Sequence, residues 1–363
     1  MRDTGPCGSI TSDPNRAENG GRMRKATIRD VAELAGVSTA TVSRALSGSR
    51  PVSDELAATI KRAADSLGYS GNIIASSLRR NRTDTVGMVV PSIANPFFTS
   101  LVVNVEHVLA RRGLQLFLCD SRSDPDVEAQ RLKSLVSRQV DGIIISPCHG
   151  ELSAEAVRAS AATLPVVQLD RFAMDTQTDW VGVDDDAAQS LVMEHLSERG
   201  AQSAAFISSE LTNSSTELRR AGFFRHADRM GIETRDEWTQ LGEYSIEWGR
   251  TASNIILTGK TRPDALVCAD DLIALGVLQT CHTLGIDVPG DVLVTGFDNI
   301  PFSELCNPPL TTVGQPQERI AEEAVRLLDQ AMNNSSESTA HIALAPELIV
   351  RQSTVGQAAA TAP

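Results

Sequence analysis

Apolar residues recur at helical spacing in the first seventy positions and as short continuous runs afterwards. In TIRDVAELAGVSTATVSRAL, residues 27–46, the side chains of Ile28, Val31, Ala32, Leu34 and Ala35 fall on one face of a helix. Thr27 predicts its cap, with Asp30 three residues on, where a carboxylate favours a helix start. Gly36 predicts its end, because glycine tolerates positive φ. Ser38 then caps a second helix. In it Val42, Ala45 and Leu46 face the first helix, and Thr39, Ala40, Thr41, Ser43 and Arg44 stay outward. Two short helices bury little alone, so a third completes a small bundle: Ser53 as cap, then Leu56, Ile60, Ala63, Ala64 and Leu67, ending at Gly68.

From about Thr83 the pattern changes. TVGMVVP, LQLFLCD, DGIIISP and VVQLD are short apolar runs separated by helix-length segments. A second series follows, with WVGVD, AAFISS, DALVCAD and DVLVTGFDN. Such alternation predicts parallel sheets covered by helices, and two series predict two lobes. Ligands of open α/β sheets bind beyond the carboxyl ends of the strands. Here those ends carry Ser92 to Phe98, Asp120, Asp170–Arg171, Ser208–Ser209, Asp270–Asp271 and Asp298–Asn299, a set suited to a small polar ligand.

Charge separates the two regions. The net charge is +6 over residues 22–82 and −18 over residues 83–363, within a total of −13. A helical hairpin at the edge of an ordinary domain gives the same spacing as the first two helices. A basic head on an acidic body favours instead a head that meets phosphates, with contact confined to it. An outward Arg44 can fork onto guanine, and the methyl groups of Thr39 and Ala40 can pack on thymine.

Enzyme chemistry is not visible. There is no Walker sequence, no GxGxxG after a strand, no HExxH and no GxSxG elbow, so no cofactor is expected. The six histidines lack metal spacing. Asp184, Asp185 and Asp186 read as a solvated helix start. The six cysteines are scattered without a CxxC pair, which fits free thiols in a reducing cytoplasm. No run reaches the roughly 20 apolar residues of a membrane span. Residues 1–22 are rich in Gly, Pro, Asn, Asp and Ser and are expected to be disordered.

AGVSTATVSRALSG, followed by VS, LGY, NIIASSLRR and VGMVVPSIANPFF, resembles the lactose-repressor family of bacterial transcription regulators, with a head similar to its purine and cytidine repressors. The resemblance runs from Thr27 to about Thr354. It implies a helix-turn-helix head over 23–71, a hinge helix and linker over 72–82, and a two-lobed α/β body over 83–355 like periplasmic binding proteins. The first lobe is expected at about 83–182 and 315–340, the second at about 183–314 and 341–355, with a tail at 356–363. Met23 opens the family-like region and is a candidate start.

By that resemblance Thr39, Ala40 and Arg44 read bases, and Thr27, Ser38, Thr41 and Ser43 touch backbone or support the reading helix. Asn72, Ala75 and Arg79 match the hinge's groove and phosphate contacts, and Leu78 a leucine wedged into the minor groove. Gly71 stands where the family usually has Pro, so ordering this hinge costs more entropy. Phe97, Phe98, Asp170 and Arg171 match effector positions of the first lobe and crossover. Arg219 in LRRAGF matches an arginine that grips ligand hydroxyls, and Tyr244 in LGEYS an aromatic that stacks on a ring. Asp270 and Asp298 match positions accepting ligand hydroxyl protons. Implied partners are a near-palindromic operator DNA, a sugar or nucleoside effector and a second copy of the chain, because the terminal VGQAAATAP lacks the heptad leucines of tetrameric members. The competing reading is a solute-binding protein or sugar-acting enzyme that shares the body; the basic head and missing export signal weigh against it.

Overall fold

A computed structural model describes residues 26–47, 52–69, 82–333 and 338–356. The chain divides into two compact units at Asn81 and Arg82. The expected hinge residues Asn72, Ala75, Leu78 and Arg79 lie outside the described residues.

The first unit is a three-helix bundle: α1 (Ile28–Ala35), α2 (Thr39–Ser47) and α3 (Asp54–Ser66). The Asp30 carboxylate accepts from the Thr27 amide at 2.7 Å and from its hydroxyl at 2.8 Å, fixing the start of α1. Gly36 closes it with φ 67°. Ser38 Oγ accepts from the Thr41 amide at 3.1 Å and caps α2. Val31, Val42 and Ile60 meet in the centre, fully buried, with Ala32, Ala63 and Ala64 around them. Each of the three large side chains contributes about 2 kcal/mol by burial.

Four expectations change. Leu34 is 57% exposed and Leu46 43%, so neither faces the bundle, and Leu67 also points outward. At 100° per residue Leu34 stands about 200° from Ala32, on the flank of an eight-residue helix whose inner face is already filled by Val31 and Ala32. The Ser53 side chain makes no capping bond; α3 begins with the Ser53 carbonyl accepting from the Ala57 amide.

The second unit holds two six-stranded sheets. The first has the order β11-β5-β4-β3-β1-β2, all pairs parallel: β1 (Thr85–Val90), β2 (Gln115–Asp120), β3 (Gly142–Ile145), β4 (Val166–Leu169), β5 (Asp179–Val183) and β11 (His341–Leu344). The second has the order β12-β10-β9-β8-β6-β7: β6 (Ala204–Ser209), β7 (Thr239–Gly242), β8 (Ala265–Cys268), β9 (Leu293–Asp298), β10 (Thr311–Gly314) and β12 (Glu347–Ile349), with β12 antiparallel to β10. Helices α4 (Pro96–Arg111), α5 (Pro125–Ser137), α6 (Ala154–Ala161) and α12 (Gln317–Met332) pack on the first sheet. Helices α7 (Asp185–Glu198), α8 (Ser214–Met230), α9 (Ile246–Leu257) and α10 (Asp271–Leu284) surround the second, and α11 (Phe302–Leu305) is a single turn after β9. Central strands are buried on both faces, which is why they read as continuous apolar runs.

Two boundaries shift. WVGVD belongs to the first sheet, where Asp179 pairs with Val167, and not to the second series. Its link from β4 contains no helix: Gln168 holds that link by donating to Thr176 and Thr178 and accepting from the Ala173 amide at 2.6 Å. His341–Leu344 is an edge strand of the first sheet, so the first lobe runs four residues beyond the expected 340. The chain therefore crosses between lobes three times, after β5, after β10 and after β11. No helix among the described residues is long and apolar enough to cross a membrane.

Candidate functional sites

In the head, α2 turns Ala45 and Val42 inward and leaves Thr39, Ala40 and Arg44 exposed, with Thr41 and Ser43 at the margin. The Ser38 and Thr41 hydroxyls bond each other at 2.9 Å, and Arg44 Nε donates to the Ala40 carbonyl at 3.2 Å. The sequence-predicted reading residues therefore share one solvent-facing surface of a helix whose other face is anchored. Thr27 sits apart, bonded to Asp30 at the start of α1.

In the body, all eight predicted effector residues line one cleft between the lobes, beyond the carboxyl ends of the strands. Asn95 caps α4 by accepting from the Phe97 amide at 3.0 Å, and Pro96 opens the helix, which places Phe97 and Phe98 at the cleft edge. Their rings meet edge-on at 5.1 Å. Asp170 ends β4 in the left-handed region, φ 63°, and presents itself and Arg171. Asn213 caps α8, so Ser215 and Arg219 face the cleft from its first turns. The Tyr244 hydroxyl and Thr216 Oγ1 are 2.7 Å apart, which fixes the Tyr244 ring. Asp270 caps α10 through Oδ1, accepting from the Ile273 amide at 2.8 Å. Asp298, φ 103°, accepts from Gln315 Nε2 at 2.8 Å.

Arg219 is the centre of the charge pattern. Its Nε donates to Asp185 Oδ1 at 2.7 Å and its Nη1 to the Ala269 carbonyl at 2.7 Å, with Asp298 at 3.9 Å. Its guanidinium lies 3.5 Å from the centre of the Phe297 ring. Two of its five N–H donors are thereby engaged. Burial opposes its charge, but Asp185 and Asp298 more than offset that and raise its pKa. Burial also pushes Asp185 and Asp270 each up to about 6, and raises Asp170 and Asp298, against the pull of the arginines. Asp271 carries no ligand-facing role: its carboxylate accepts from the Ile300 amide at 2.8 Å and from Thr312 Oγ1 at 2.6 Å, tying the ends of β9 and β10 to α10.

The carboxylate triplet corrects the sequence reading. Asp184 caps α7 and Asp186 pairs with Arg225 and His226, but Asp185 is buried on Arg219. Asn95, within the strand-end stretch Ser92 to Phe98, and Ser215 also line the cleft, and Asp185 supports it through Arg219; Asp185 and Ser215 are absent from the sequence-based expectation of the site. Asp185 and Ser215 carry no local signal.

The free space left in the cleft is about 10 Å³, room for about one water. A larger hollow of about 590 Å³ opens between α5 and α6 on the outer face of the first lobe. It is mostly apolar and carries none of the strand-end polar groups, so the chemistry lies in the smaller cleft.

Residues 27–72 match the family model described as bacterial regulatory proteins, lacI family, and residues 193–354 match a periplasmic binding protein-like domain. The chain is 34% identical to the HTH-type transcriptional repressor PurR of Mannheimia succiniciproducens over 90% of its own length and 98% of that protein's. It is 30% identical to the ribose operon repressor of Escherichia coli over 90% and 99% of the two chains. Among solved structures it is similar to the lac repressor dimer bound to operator and an anti-inducer, with a TM-score of 0.84, 26% identity and coverage of 91% and 99%. It is also similar to a complex of the transcriptional regulator CelR with cellobiose, with a TM-score of 0.69, 30% identity and coverage of 90% and 99%. An exposed polar helix face on a basic helix-turn-helix head, joined to a two-lobed binding body, thus places this chain in the lacI family of bacterial regulatory proteins.

Proposed function

We propose that this protein is a cytoplasmic, dimeric repressor whose affinity for a near-palindromic operator is set by a small polar effector in the cleft. The observation that carries this reading is the convergence of Phe98, Arg171, Arg219, Tyr244, Asp270 and Asp298 on one cleft, in a chain that also has an outward Arg44 on a helix-turn-helix. Aromatic faces suit the ring of a sugar or nucleoside, and the buried carboxylates and Arg219 suit its hydroxyls. A relative named as a ribose operon repressor and the complex of CelR with cellobiose support a sugar within that range.

Gating follows as a population shift: an effector that prefers one lobe arrangement biases the two heads of a dimer toward or away from operator spacing. In this reading Thr39, Ala40 and Arg44 read base edges, and Leu78 enters the minor groove at a flexible pyrimidine–purine step. Selection of bound DNA from a random pool by the full chain tests it. Enrichment of a two-fold symmetric sequence with a central pyrimidine–purine step is expected. A pool that yields no consensus, or an asymmetric one, overturns the reading.

A further inference from the structure

Two hydrogen bonds join the lobes at the edge of the cleft, next to Arg171 and Ser215. The Gly150 amide, in the loop after β3, donates to the Thr212 carbonyl at 2.7 Å, and the Phe172 amide to Ser214 Oγ at 2.9 Å. Thr212 and Ser214 flank Asn213, the cap of α8, whose first turns carry Ser215 and Arg219 into the cleft. The Gly150 carbonyl also accepts from the Met174 amide at 2.9 Å, so one glycine holds both first-lobe loops that reach the second lobe.

What fixes Gly150 is the residue before it. His149 Nδ1 accepts from the Glu151 amide at 3.1 Å and from the Leu152 amide at 3.2 Å. Asparagine and aspartate usually make such a turn, with a side-chain oxygen accepting from nearby backbone amides. Here the acceptor is an imidazole nitrogen, which accepts only while it carries no proton. The start of the loop is held independently: the Cys148 amide donates to buried Glu128 at 2.8 Å, and the His149 amide to Ser153 Oγ at 3.2 Å. A proton on Nδ1 would set three N–H groups against one another and free residues 150–152 while Cys148 stays pinned.

The surroundings give the protonated ring another place to go. Glu151 from the loop and Glu217 from α8 are exposed and line a cavity of about 130 Å³ with His149, Phe172 and Met174. Glu128 lies behind the loop on α5, Arg158 of α6 donates to the Asp175 carbonyl at 3.4 Å, and Arg171 lies over the Tyr244 ring in the cleft. An imidazolium formed here is drawn to the two exposed carboxylates and away from the amides it served.

We propose that His149 is a positioning residue for cleft closure, and that its protonation releases the Gly150 latch, so that the lobes part more readily in acid. Imidazole is the side chain that ordinarily changes charge between about pH 5 and 8. The consequence for operator binding rests on the effector-gated reading above: a cleft that opens more readily holds its effector less well.

Hydrogen exchange of the full chain, read by mass spectrometry and corrected for the intrinsic rate at each pH, tests the latch without effector or DNA. Wild-type protection in residues 150–152 and 172–174 is expected to fall about tenfold from about pH 8 to about pH 5.5. His149→Asn keeps an acceptor at the same place and does not titrate, so it should hold its protection at both pH values. His149→Ala should be poorly protected there at both, with the rest of the body unchanged. Asp185 and Asp270, pushed up to about 6 by burial, also titrate in this range, so the comparison of wild type with His149→Asn decides. An equal fall in the two, or no fall in either, overturns the latch, as does wild-type protection in His149→Ala at about pH 8. Because no effector enters, a failed latch leaves the gating reading standing. The expected exchange pattern in a chain whose operator binding no compound shifts would uphold the latch and overturn the gating reading.

Discussion

Arg219 and Asp185, 34 residues apart in sequence, form a 2.7 Å ion pair in which both side chains are almost wholly buried. It ties α7 to α8 at the floor of the cleft and orients the guanidinium toward Asp298 and the cleft space. Removing one partner of such a pair leaves an unpaired buried charge, a cost of about 3–5 kcal/mol. Asp185→Ala is therefore expected to lose about that much in urea unfolding, whereas Asp185→Asn, which keeps an acceptor, loses clearly less. Equal, small losses would mean that water replaces the carboxylate.

Arg44 and the bundle that carries it are separable. Arg44 is exposed and contributes nothing to the Val31–Val42–Ile60 core. Arg44→Ala is expected to leave helix content and melting temperature unchanged while costing about 1–3 kcal/mol in specific operator binding. Circular dichroism read beside anisotropy checks both halves; a drop in helix content would show that Arg44 supports the fold.

Two glycines permit the close approach of α9 and α10. A Cβ on Gly249 would meet the Ile273 carbonyl, and one on Gly276 the Ile246 carbonyl. Backbone cannot yield as a side chain does, so Gly249→Ala and Gly276→Ala should each destabilise the body by about 2 kcal/mol or more. Denaturant midpoints of the two variants check this, and wild-type midpoints would contradict the packing.

The buried carboxyls set a pH dependence. Burial raises Asp185 and Asp270 to about 6 and Asp271 to about 7, above the ordinary value of 3.8 that they regain on unfolding. Between those values the folded state binds more protons than the unfolded one, so stability falls as pH rises. His195, whose pKa burial lowers, acts in the opposite sense below about pH 6.5, but Asp170 and Asp298, also raised by burial, stand with the other three carboxyls against it. Urea midpoints are expected to be higher at pH 5.5 than at pH 8. A midpoint that rises with pH would mean these carboxyls are ionised in the folded protein.

Much of this was readable in the chain because the signals are local. The Thr27–Asp30 cap, the Gly36 stop and the Ser38 cap each lie within one helical turn of what they control. Leu34 and Leu46 were misplaced because a short helix has one narrow inner face, and side-chain type alone does not say which flank it leaves bare. β5 was given to the wrong series because strands buried on both faces carry no period, and only the pairing of Asp179 with Val167 assigns them. In the cleft, strand-end residues were legible from α/β topology and family resemblance. Asp185 was not, since a carboxylate at a helix start looks the same whether solvated or paired with an arginine 34 residues away.

Fluorescence anisotropy of the full chain on the selected operator DNA, titrated with charged and neutral ring compounds beside an Arg44→Ala control, reads DNA binding and effector response in one experiment. Salt-sensitive binding is expected, which Arg44→Ala removes and which one ring compound shifts in the wild type but not in Tyr244→Ala. Operator binding that survives Arg44→Ala, or a ligand response that survives the loss of Tyr244, would contradict it.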